Sequence, residues 1–565
     1  MSQKALCLLV NAAIPFVPGN VSLSFEKQDE SEALASSADH FWLPAEIRFF
    51  EEINENLLPL LLMFERLEKD KIPFKMALVL SPLLCSALNN KGLIARYLKF
   101  LDRQIEFGKK ESVRSMNSKP LAELTNYYLE HYVQVKKYLE KRDFDILEIF
   151  RHFNRVGNFE LLASPATDCY LPFFTAYPEI IRAQLSMSLL SGKKFLGEEP
   201  AGFWLTGMAY SNELDDHILD GHFCYTVVDT HTLLLSEPPV SAGSFYPVRT
   251  KKGLTVFARD FYLSKALREM DGERYRDNSR DAGYELSHEA VESFCSAEGE
   301  RHPTGYKYWY RSQQGGCIQG IYYNIEKAHE QAAAAAKEYA AACEAHLEKA
   351  ACALRESGGN NKEKRPFALI TADIDTFGRN WAEGPVFLES FFREMHTKQN
   401  VELTTPYAFM CKQNTASFEA VTPLYSSAGP MGYSESVLDS SNDWIYRHIF
   451  RAVERMTEIA ERFDDSGIRE RLLNQAARES FLSQSALLIA MLSDSSTAAC
   501  AKAQIEEHLK SFTAVYESLG FNFMSAKWLA ILEERDYVFP ELNYRMFRKR
   551  DNGVVQKLQF MNNNH

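Results

Sequence analysis

Two aspartates follow a strongly apolar run in the segment ALITADIDTFGRNWAEGP, residues 368–385. The run predicts a β-strand that ends at Asp373, with Asp375 and the pair Phe377-Gly378 in the turn that follows. In a βα barrel, catalytic side chains lie at the C-terminal ends of the strands, where burial and a neighbouring negative charge raise a carboxyl pKa enough for a general acid. Both aspartates suit hydrogen bonding to the turn equally well, as aspartate often does.

A second strand end, in GFWLTGMAYSNELDD at residues 202–216, carries no reactive group. The segment predicts a short strand over residues 202–205, a loop, and a helix that starts at Ser211 or Asn212, both good N-cap residues. The loop begins with Thr206, Gly207 and Met208, and none of these is a strong acid, base or nucleophile at pH 7. The sequence therefore predicts a barrel edge that lacks a reacting group.

Two further polar segments each allow two interpretations. In VVDTH, residues 227–231, Asp229 and His231 are either acid–base partners or hydrogen-bonded to backbone groups. The pattern favours the second interpretation. In YRDNSRD, residues 275–281, arginines and aspartates interleave beside an aromatic ring. Such a cluster suits a sugar, whose hydroxyl groups take bidentate hydrogen bonds and whose apolar faces stack on rings, and it equally suits a buried ion-pair network.

Motifs for metals and common cofactors are absent from the sequence. Its fourteen histidines form no H-E-x-x-H and no clustered His/Cys spacing, so no metal site is expected. The chain has no G-x-G-x-x-G, no Walker loop and no G-x-S-x-G. Nucleotide-binding and serine hydrolase functions therefore lack support, and we expect no cofactor.

The charge balance restricts the partners of the chain. A formal net charge of −13 at pH 7 and a pI near 5.7 argue against nucleic acid or an anionic membrane as partner, and leave neutral or cationic ligands open. Ten scattered cysteines without a C-x-x-C pair indicate reduced thiols in a cytoplasmic protein. No apolar run reaches the ~18 residues of a membrane span, and the N-terminus, with Lys4 and an early proline, makes a poor signal peptide.

Short apolar strands alternate with amphipathic helices over the first two-thirds of the chain, which is typical of an α/β fold. Seven strands favour a closed barrel over an open sheet, at residues 6–10, 74–80, 159–163, 202–205, 224–228, 254–257 and 367–371. Helical insertions interrupt this pattern near residues 83–150 and 324–356, and from about Asn442 the chain becomes all helical. We predict a barrel domain over residues 1–430, a helical C-terminal domain over 431–547 and a polar tail over 548–565.

Together these segments resemble family 57 of the glycoside hydrolases, in particular its 1,4-alpha-glucan branching enzymes. The similarity runs from residue 6 to about residue 547, and it is carried in order by AIPF, IRFFEEINENLLPLLLMFERL, ASPATDCYLPFF, GFWLTGMAY, VVDTH, VFARD, YRDNSRDAGYEL, DIDTFGRNWAEGP, ELTTP and SNDWIYRH. The resemblance implies a seven-stranded (β/α) barrel with helical insertions and a helical C-terminal domain that helps to close the cleft. It also implies an alpha-glucan as the ligand.

The family's nucleophile, the glutamate of a G-F-W-L-P-E-C-A-Y pattern, corresponds to Gly207. A retaining glycosidase needs two carboxyl groups about 5–5.5 Å apart, one to protonate the leaving oxygen and one to attack the anomeric carbon. Glycine supplies neither group. Glu213, Asp215 and Asp216 come later, on the following helix, and cannot fill the gap without a rebuilt loop.

Other positions of the resemblance also depart from the family pattern. Two histidines of its H-A-H-L-P-F opening correspond to Asn11 and Ala13, and a third family histidine corresponds to Asp168. Two family tryptophans fall on Ala428 and Ser495. The departures therefore concentrate where the family keeps its chemistry.

The retained positions include the general-acid aspartate, Asp373, and the substrate-side residues Arg259 and Asp494. Trp204 is a further candidate for substrate binding. Tyr246 lies in a loop over residues 243–247 that resembles the family's active-site loop, and this loop either covers a bound chain or is a solvated surface loop. Large aromatic residues that packing alone could retain also match, namely Trp204, Tyr275, Trp381 and Trp444.

These features leave three hypotheses of function. The leading one is a pseudoenzyme of the alpha-glucan branching type that binds an alpha-glucan or a smaller sugar, or that regulates glycogen metabolism through a partner enzyme. The second is an active alpha-glucan hydrolase or transglycosylase that relocates a carboxylate to Asp168 or Asp375, with inverting hydrolysis as the form that fits best. The third is a structural or assembly protein with a vestigial cleft. The joint losses at Gly207 and at the histidine and tryptophan positions favour the first or the third, because a relocated nucleophile would not explain them.

Overall fold

Seven parallel strands form the centre of the molecule. The structure, a computed structural model, describes residues 4–19, 44–270, 276–295, 299–311, 317–464, 466–521 and 525–549. Its strands are β1 (Lys4–Ala12), β2 (Met76–Leu80), β3 (Phe159–Leu162), β4 (Gly202–Trp204), β5 (Tyr225–Val228), β6 (Val248–Thr250), β7 (Thr255–Ala258), β8 (Trp309–Arg311), β9 (Cys317–Tyr322), β10 (Phe367–Asp373), β11 (Val401–Leu403) and β12 (Ala420–Val421). The seven predicted strands correspond to β1, β2, β3, β4, β5, β7 and β10, with boundaries shifted by no more than two residues.

Helices surround these strands and fill the C-terminal part of the chain. They are α1 (Pro44–Glu51), α2 (Leu58–Lys69), α3 (Pro82–Asn89), α4 (Lys91–Arg114), α5 (Lys119–Glu140), α6 (Ile146–Arg155), α7 (Pro178–Ser191), α8 (Asp215–Asp220), α9 (Thr230–Leu234), α10 (Phe261–Glu269), α11 (Ala282–Glu285), α12 (His288–Val291), α13 (Ile325–Glu356), α14 (Gly384–Thr397), α15 (Pro406–Cys411), α16 (Asp443–Arg462), α17 (Ile468–Leu482), α18 (Ala486–Met491), α19 (Ala498–Phe521) and α20 (Ala526–Arg535). Within the described part of the chain, none of them is both long and apolar enough to cross a membrane.

The strands close into a seven-stranded barrel, as the sequence predicts. One sheet has the order β10-β1-β2-β3, and in the other β5 lies between β4 and β7. A parallel bridge between Ala163 and Phe203 joins β3 to β4. On the opposite side, the Asp260 N–H donates to the Leu369 oxygen at 2.6 Å and connects the end of β7 to β10. All seven strands therefore point their carboxyl ends at one mouth.

The barrel strands are buried on both faces, which explains why they appear in the sequence as continuous apolar runs. In β1, Cys7 and Leu9 belong to the cluster of side chains inside the barrel, together with Phe257 of β7. Leu6 and Leu8, on the alternate face, pack against the surrounding helices. The two-residue period of the strand thus divides one apolar run between two cores.

The predicted insertions and C-terminal helices are present. Helices α3 to α6 occupy the first insertion, and α13 forms the second, with the Asn324 side chain accepting from the Lys327 N–H at its start. The C-terminal helices begin at Asp443, and α18 reaches the barrel mouth, where the Ala486 N–H donates to the Asp168 oxygen at 3.2 Å. Most of the predicted polar tail, residues 550–565, lies outside the described residues, as does Tyr275.

The turn that follows β10 packs tightly against a π-helical segment, Glu52–Leu57, between α1 and α2. The Asn56 side chain donates to Asp375 Oδ1 at 2.7 Å and accepts from the Arg379 N–H at 2.8 Å. A Cβ atom added to Gly378 would overlap the backbone oxygen of Glu55. Glycine is therefore required at residue 378 by the close approach of two backbones, and this contact holds the end of β10 in place.

We expect Gly378→Ala to lower the free energy of unfolding by about 1–3 kcal/mol, because the backbones must separate to admit the methyl group. Gly520→Ala is a suitable control, since a Cβ at this helical position meets nothing within 4 Å. The control is expected to gain up to about 1 kcal/mol from reduced backbone entropy. Urea denaturation followed by circular dichroism measures both, and equal stabilities for the two variants would contradict the proposed contact.

Candidate active site

A cavity of about 290 Å³ opens at the mouth of the barrel. Its wall comes from the ends of separate strands, with Asn11 from β1, Asp168 after β3, Gly207 after β4, Arg259 after β7 and Asp373 from β10. Helix α18 and the loop that contains residue 428 complete it. This is the location where barrel enzymes place their catalytic groups.

Asp373 is the candidate acid in this wall. Its side chain is open to the cavity, yet protein surrounds it on the remaining sides, and this burial raises the pKa of its carboxyl group. The Asn11 amide donates to Asp373 Oδ1 at 3.3 Å and opposes the shift, as do the charges of Arg268 and Arg259, whereas the nearby Asp375 reinforces it. The net effect favours the protonated form, which a general acid requires.

Asp375 does not line the cavity, although it follows Asp373 by only two residues. It lies in a short 3-10 turn and accepts from the side chains of Asn56, Arg48 and Arg379 at 2.7, 3.0 and 2.7 Å. Its oxygens are directed at the π-helical segment and at two guanidinium groups. The turn-stabilising interpretation therefore applies to Asp375, and its position speaks against a role as relocated nucleophile.

Gly207 lies in the cavity wall with a left-handed backbone, φ 64°. A Cβ atom at this position would meet only the ring of Tyr170, at 3.7 Å, so the wall has room for a side chain. The oxygen of Gly207 accepts from the Ala428 N–H at 2.7 Å. Two departures from the family pattern, the glycine and the alanine, are therefore neighbours in one wall.

Asp168 supplies a second carboxyl group. Its side chain is only 3% exposed, and its backbone is left-handed, with φ 52°. Burial raises the pKa of Asp168 to about 8, although the hydroxyl groups of Ser81 and Ser164 oppose the shift. Its Oδ2 atom has no hydrogen-bond partner among the described residues. At neutral pH this carboxyl group is therefore predominantly protonated.

Arg259 lies at the cavity with its charge already compensated. Its Nε and Nη2 atoms donate to the two carboxylate oxygens of Asp229, at 3.0 and 2.7 Å, and both side chains are buried. Asp229 also accepts from the Thr230 N–H at 2.6 Å, while His231 Nδ1 is 3.7 Å away. Asp229 is thus the ion-pair partner of Arg259 and the cap of α9, and His231 is a distant neighbour rather than its proton-transfer partner.

The remaining predicted residues lie in different places. Trp204 lines the cavity and is 6% exposed. Tyr246 does not line it, and its hydroxyl group donates to Gln413 Oε1 at 3.1 Å. The adjacent Phe245 oxygen accepts from the N–H of Phe367, the first residue of β10, so this loop lies at the end of the barrel opposite Asp373.

Asp494 is also outside the cavity wall. It lies in an exposed turn between α18 and α19, where its Oδ1 atom accepts from the Ser496 N–H at 3.0 Å and from the Ser496 hydroxyl at 2.9 Å. These hydrogen bonds lower the pKa of Asp494. The side chain therefore caps its own turn in this structure.

Sequence reasoning missed two cavity residues on α10, Ser264 and Arg268. They are four residues apart and therefore lie on one face of the helix that follows β7. This four-residue spacing of polar residues was the sequence signal from which the two residues could have been identified. Tyr170 was also missed, and its hydroxyl group lies 2.6 Å from Ser434 Oγ in the loop beyond residue 428.

The buried Asp168 gives a test through the pH dependence of stability. Between about pH 4 and about pH 8 the folded chain holds this proton while the unfolded chain releases it, so the wild type loses stability as the pH rises across that window. Asp168→Asn does not titrate. Its stability relative to wild type is expected to increase with pH by up to about 1.4 kcal/mol per pH unit, and then to level off. Denaturant unfolding of both proteins at pH 5, 6, 7 and 9, roughly spanning the titration of Asp168, measures the difference in free energy of unfolding. A difference that does not change with pH would contradict an uncharged Asp168.

Two family models match this chain. The model described as Glycosyl hydrolase family 57 matches residues 32–422, and the model described as 1,4-alpha-glucan branching enzyme, C-terminal, matches residues 448–547. The 1,4-alpha-glucan branching enzyme TK1436 of Thermococcus kodakarensis is 24% identical over 532 residues, which covers 88% of this chain and 74% of that protein.

Solved structures show the same fold. The alpha-amylase AmyC of Thermotoga maritima is 26% identical, with a TM-score of 0.82 over 97% of this chain and 100% of the other. The GH57-type branching enzyme of Pyrococcus horikoshii is 21% identical, with a TM-score of 0.80 over 97% of each chain. The barrel, its insertions and the C-terminal helices thus agree with the two family models, and the chain belongs to glycosyl hydrolase family 57.

Proposed function

We propose that this chain is a branching-enzyme-like protein that has lost the chemistry of its family and retains the binding of an alpha-glucan or a smaller sugar. Its role would be recognition or regulation in glycogen metabolism, in the cytoplasm, through a partner enzyme. The observation that carries the proposal is the cavity wall, where Asp373 remains and the position assigned to the nucleophile is Gly207. The cytoplasmic location agrees with the nine described cysteine side chains, all of which are free thiols.

The proposed loss of activity rests on the missing nucleophile. In a protease taken as a reference case, removal of the nucleophile lowers turnover on the order of a million-fold, which corresponds to roughly 8 kcal/mol of barrier. The Gly207 loop offers no substitute, because its neighbours Thr206 and Met208 carry no carboxyl group. Asp373 alone can protonate a leaving oxygen but cannot also form the glycosyl-enzyme bond.

The alternative of a relocated carboxylate has one observation in its favour, since Asp168 lines the same cavity as Asp373. An inverting hydrolase needs one protonated and one ionised carboxyl group, the latter to activate water. With its pKa at about 8, Asp168 is uncharged at neutral pH and is a poor base there. Turnover through Asp168 would therefore appear only at alkaline pH.

We expect wild-type protein to show no turnover of amylose, and Gly207→Glu to show branch formation or new reducing ends. A Cβ atom at this position meets only the Tyr170 ring, and the left-handed backbone costs about 1–2 kcal/mol. Gly207→Gln is the matched control, because it has the same size and backbone strain but no carboxyl group. Branches and reducing ends are measured together.

Asp373→Asn, alone and in the Gly207→Glu background, completes this experiment. The double variant is expected to be silent, because the general acid is then missing. Turnover by the wild type that Asp373→Asn abolishes would contradict the loss of catalysis and would direct attention to Asp168.

Binding of a glucan is testable apart from catalysis. Arg259 is unsuitable for substitution, because its removal would leave Asp229 buried without a counter-charge. Arg268 lines the cavity from an exposed position on α10, and its guanidinium group can donate to sugar hydroxyl groups. We expect Arg268→Ala to weaken maltoheptaose binding about tenfold in calorimetric titrations.

Lys265→Ala on the same helix is the control, since Lys265 does not line the cavity and pairs with Glu269. It should bind like the wild type. If neither the wild type nor the control binds maltoheptaose, the retained sugar site is refuted, and the structural or assembly role with a vestigial cleft remains.

A further inference from the structure

A second cavity, of about 400 Å³, lies outside the barrel. Both helical insertions contribute to it, α5 through Tyr127, Tyr128 and Tyr132, and α13 through His329. The rest of the wall comes from the π-helical segment, from α2 and α14, and from the loops at residues 276, 305, 323 and 378. Its volume is within the range of roughly 300–1,000 Å³ that is usual for small-molecule sites.

This cavity is separate from the one at the barrel mouth. Among the described residues, the two share no wall residue. The turn Ile374–Phe377 lies between them, with Asp373 on the side of the barrel cavity and Gly378 on the side of the second cavity. A ligand in one cavity therefore leaves the other accessible.

The buried charged groups of the second cavity, Glu55 and Arg276, are compensated within the protein. Glu55 accepts from Lys307 Nζ at 2.8 Å and from Arg276 Nη2 at 3.1 Å. Burial opposes ionisation, but these two cations hold the pKa of Glu55 below its ordinary value. Burial also lowers the pKa of His131 to about 4, so this ring is neutral at pH 7. The buried charges of the wall are therefore engaged within the protein, and Glu130, which also lines the cavity, is exposed.

Aromatic rings and fixed polar atoms make up the rest of the wall. Tyr127 is 40% exposed, and its ring lies 5.6 Å from the ring of Tyr128. The hydroxyl groups of Tyr128 and Tyr132 donate to backbone oxygens of Lys307 and Gly305, at 2.8 and 3.1 Å. The Tyr128 hydroxyl group also bonds to the Arg276 side chain, whereas the Tyr132 oxygen remains as an acceptor, and these hydrogen bonds fix the rings in position.

We infer that this cavity is a second binding site, for a neutral saccharide of one or two units. The hydroxyl groups of such a ligand both donate and accept hydrogen bonds, so they can contact Glu55 and Arg276 without adding a charge to this pair. The apolar faces of the sugar stack on tyrosine rings. The ion-pair and sugar-binding interpretations of the YRDNSRD segment are thus joined at Arg276, which pairs with Glu55 and lines the cavity. The site lies apart from Gly207, so it is independent of whether the barrel cavity is active.

Titration with maltose, followed by saturation-transfer NMR and calorimetry, tests the site on the full chain. The titration data of the wild type are expected to require a model with two binding sites. Tyr127→Ala should weaken one of them about tenfold, while Tyr407→Ala, at a tyrosine that is 41% exposed and outside both cavities, should change neither. Val386→Trp, which fills the second cavity from α14, should abolish the same site that Tyr127→Ala weakens.

Arg268→Ala separates this inference from the proposed function. It should weaken only the site that Tyr127→Ala leaves intact. Maltose binding that responds to Tyr127 but not to Arg268 would refute sugar binding in the barrel cavity and support the second site. Three outcomes would overturn the second site. In the first, Arg268→Ala removes all maltose binding; in the second, Tyr127→Ala and Val386→Trp bind like the wild type; in the third, the wild type binds no maltose.

Discussion

The parallel register between β1 and β10 is the constraint on which the cavity depends. It sets Asn11 directly beside Asp373, so the candidate acid has a neutral amide as its neighbour. β1 also pairs with β2 and β11, and a slip of one residue would turn every side chain of this strand to the opposite face. The apolar alternation that fills the barrel therefore also fixes the chemistry at its mouth. An amide donor stabilises the ionised form of Asp373, while burial favours the protonated form.

Around that mouth, the protein treats its buried charges in two ways. Arg259 and Asp229 compensate each other in a bidentate pair that joins the ends of β7 and β5. Asp168 has no such partner, and its carboxyl group is neutralised by a proton instead. Both solutions avoid the free-energy cost of an isolated buried ion. The buried charges of the cavity are thereby compensated, and the exposed guanidinium group of Arg268 remains available to donate to a bound ligand.

Much of this arrangement follows from the sequence, because each barrel strand is an apolar run that ends in polar residues. That pattern placed Asp373 and Gly207 at strand ends, the resemblance added Trp204 and Arg259, and all four lie in one wall. It could not separate Asp373 from Asp375, since the choice depends on where β10 gives way to a 3-10 turn and on the distant Asn56. The resemblance placed the Tyr246 loop near the substrate. In the structure, this loop contacts the first residue of β10, which is more than a hundred residues later in the chain. A contact between residues so far apart in sequence leaves no signal in the local sequence.

The backbone of Gly207 has a consequence for any side chain placed at this position. With φ at 64°, the loop occupies a conformation that glycine adopts freely and that a glutamate adopts only with strain. A glutamate introduced at residue 207 would therefore supply a carboxyl group and at the same time strain the loop that presents it. The neighbouring Ala428, whose N–H is bonded to the Gly207 oxygen, extends this dependence to a second position. The left-handed backbone at residue 207 and the hydrogen bond to Ala428 thus couple the two positions, and the side chain that this part of the wall can present depends on the loop as a whole.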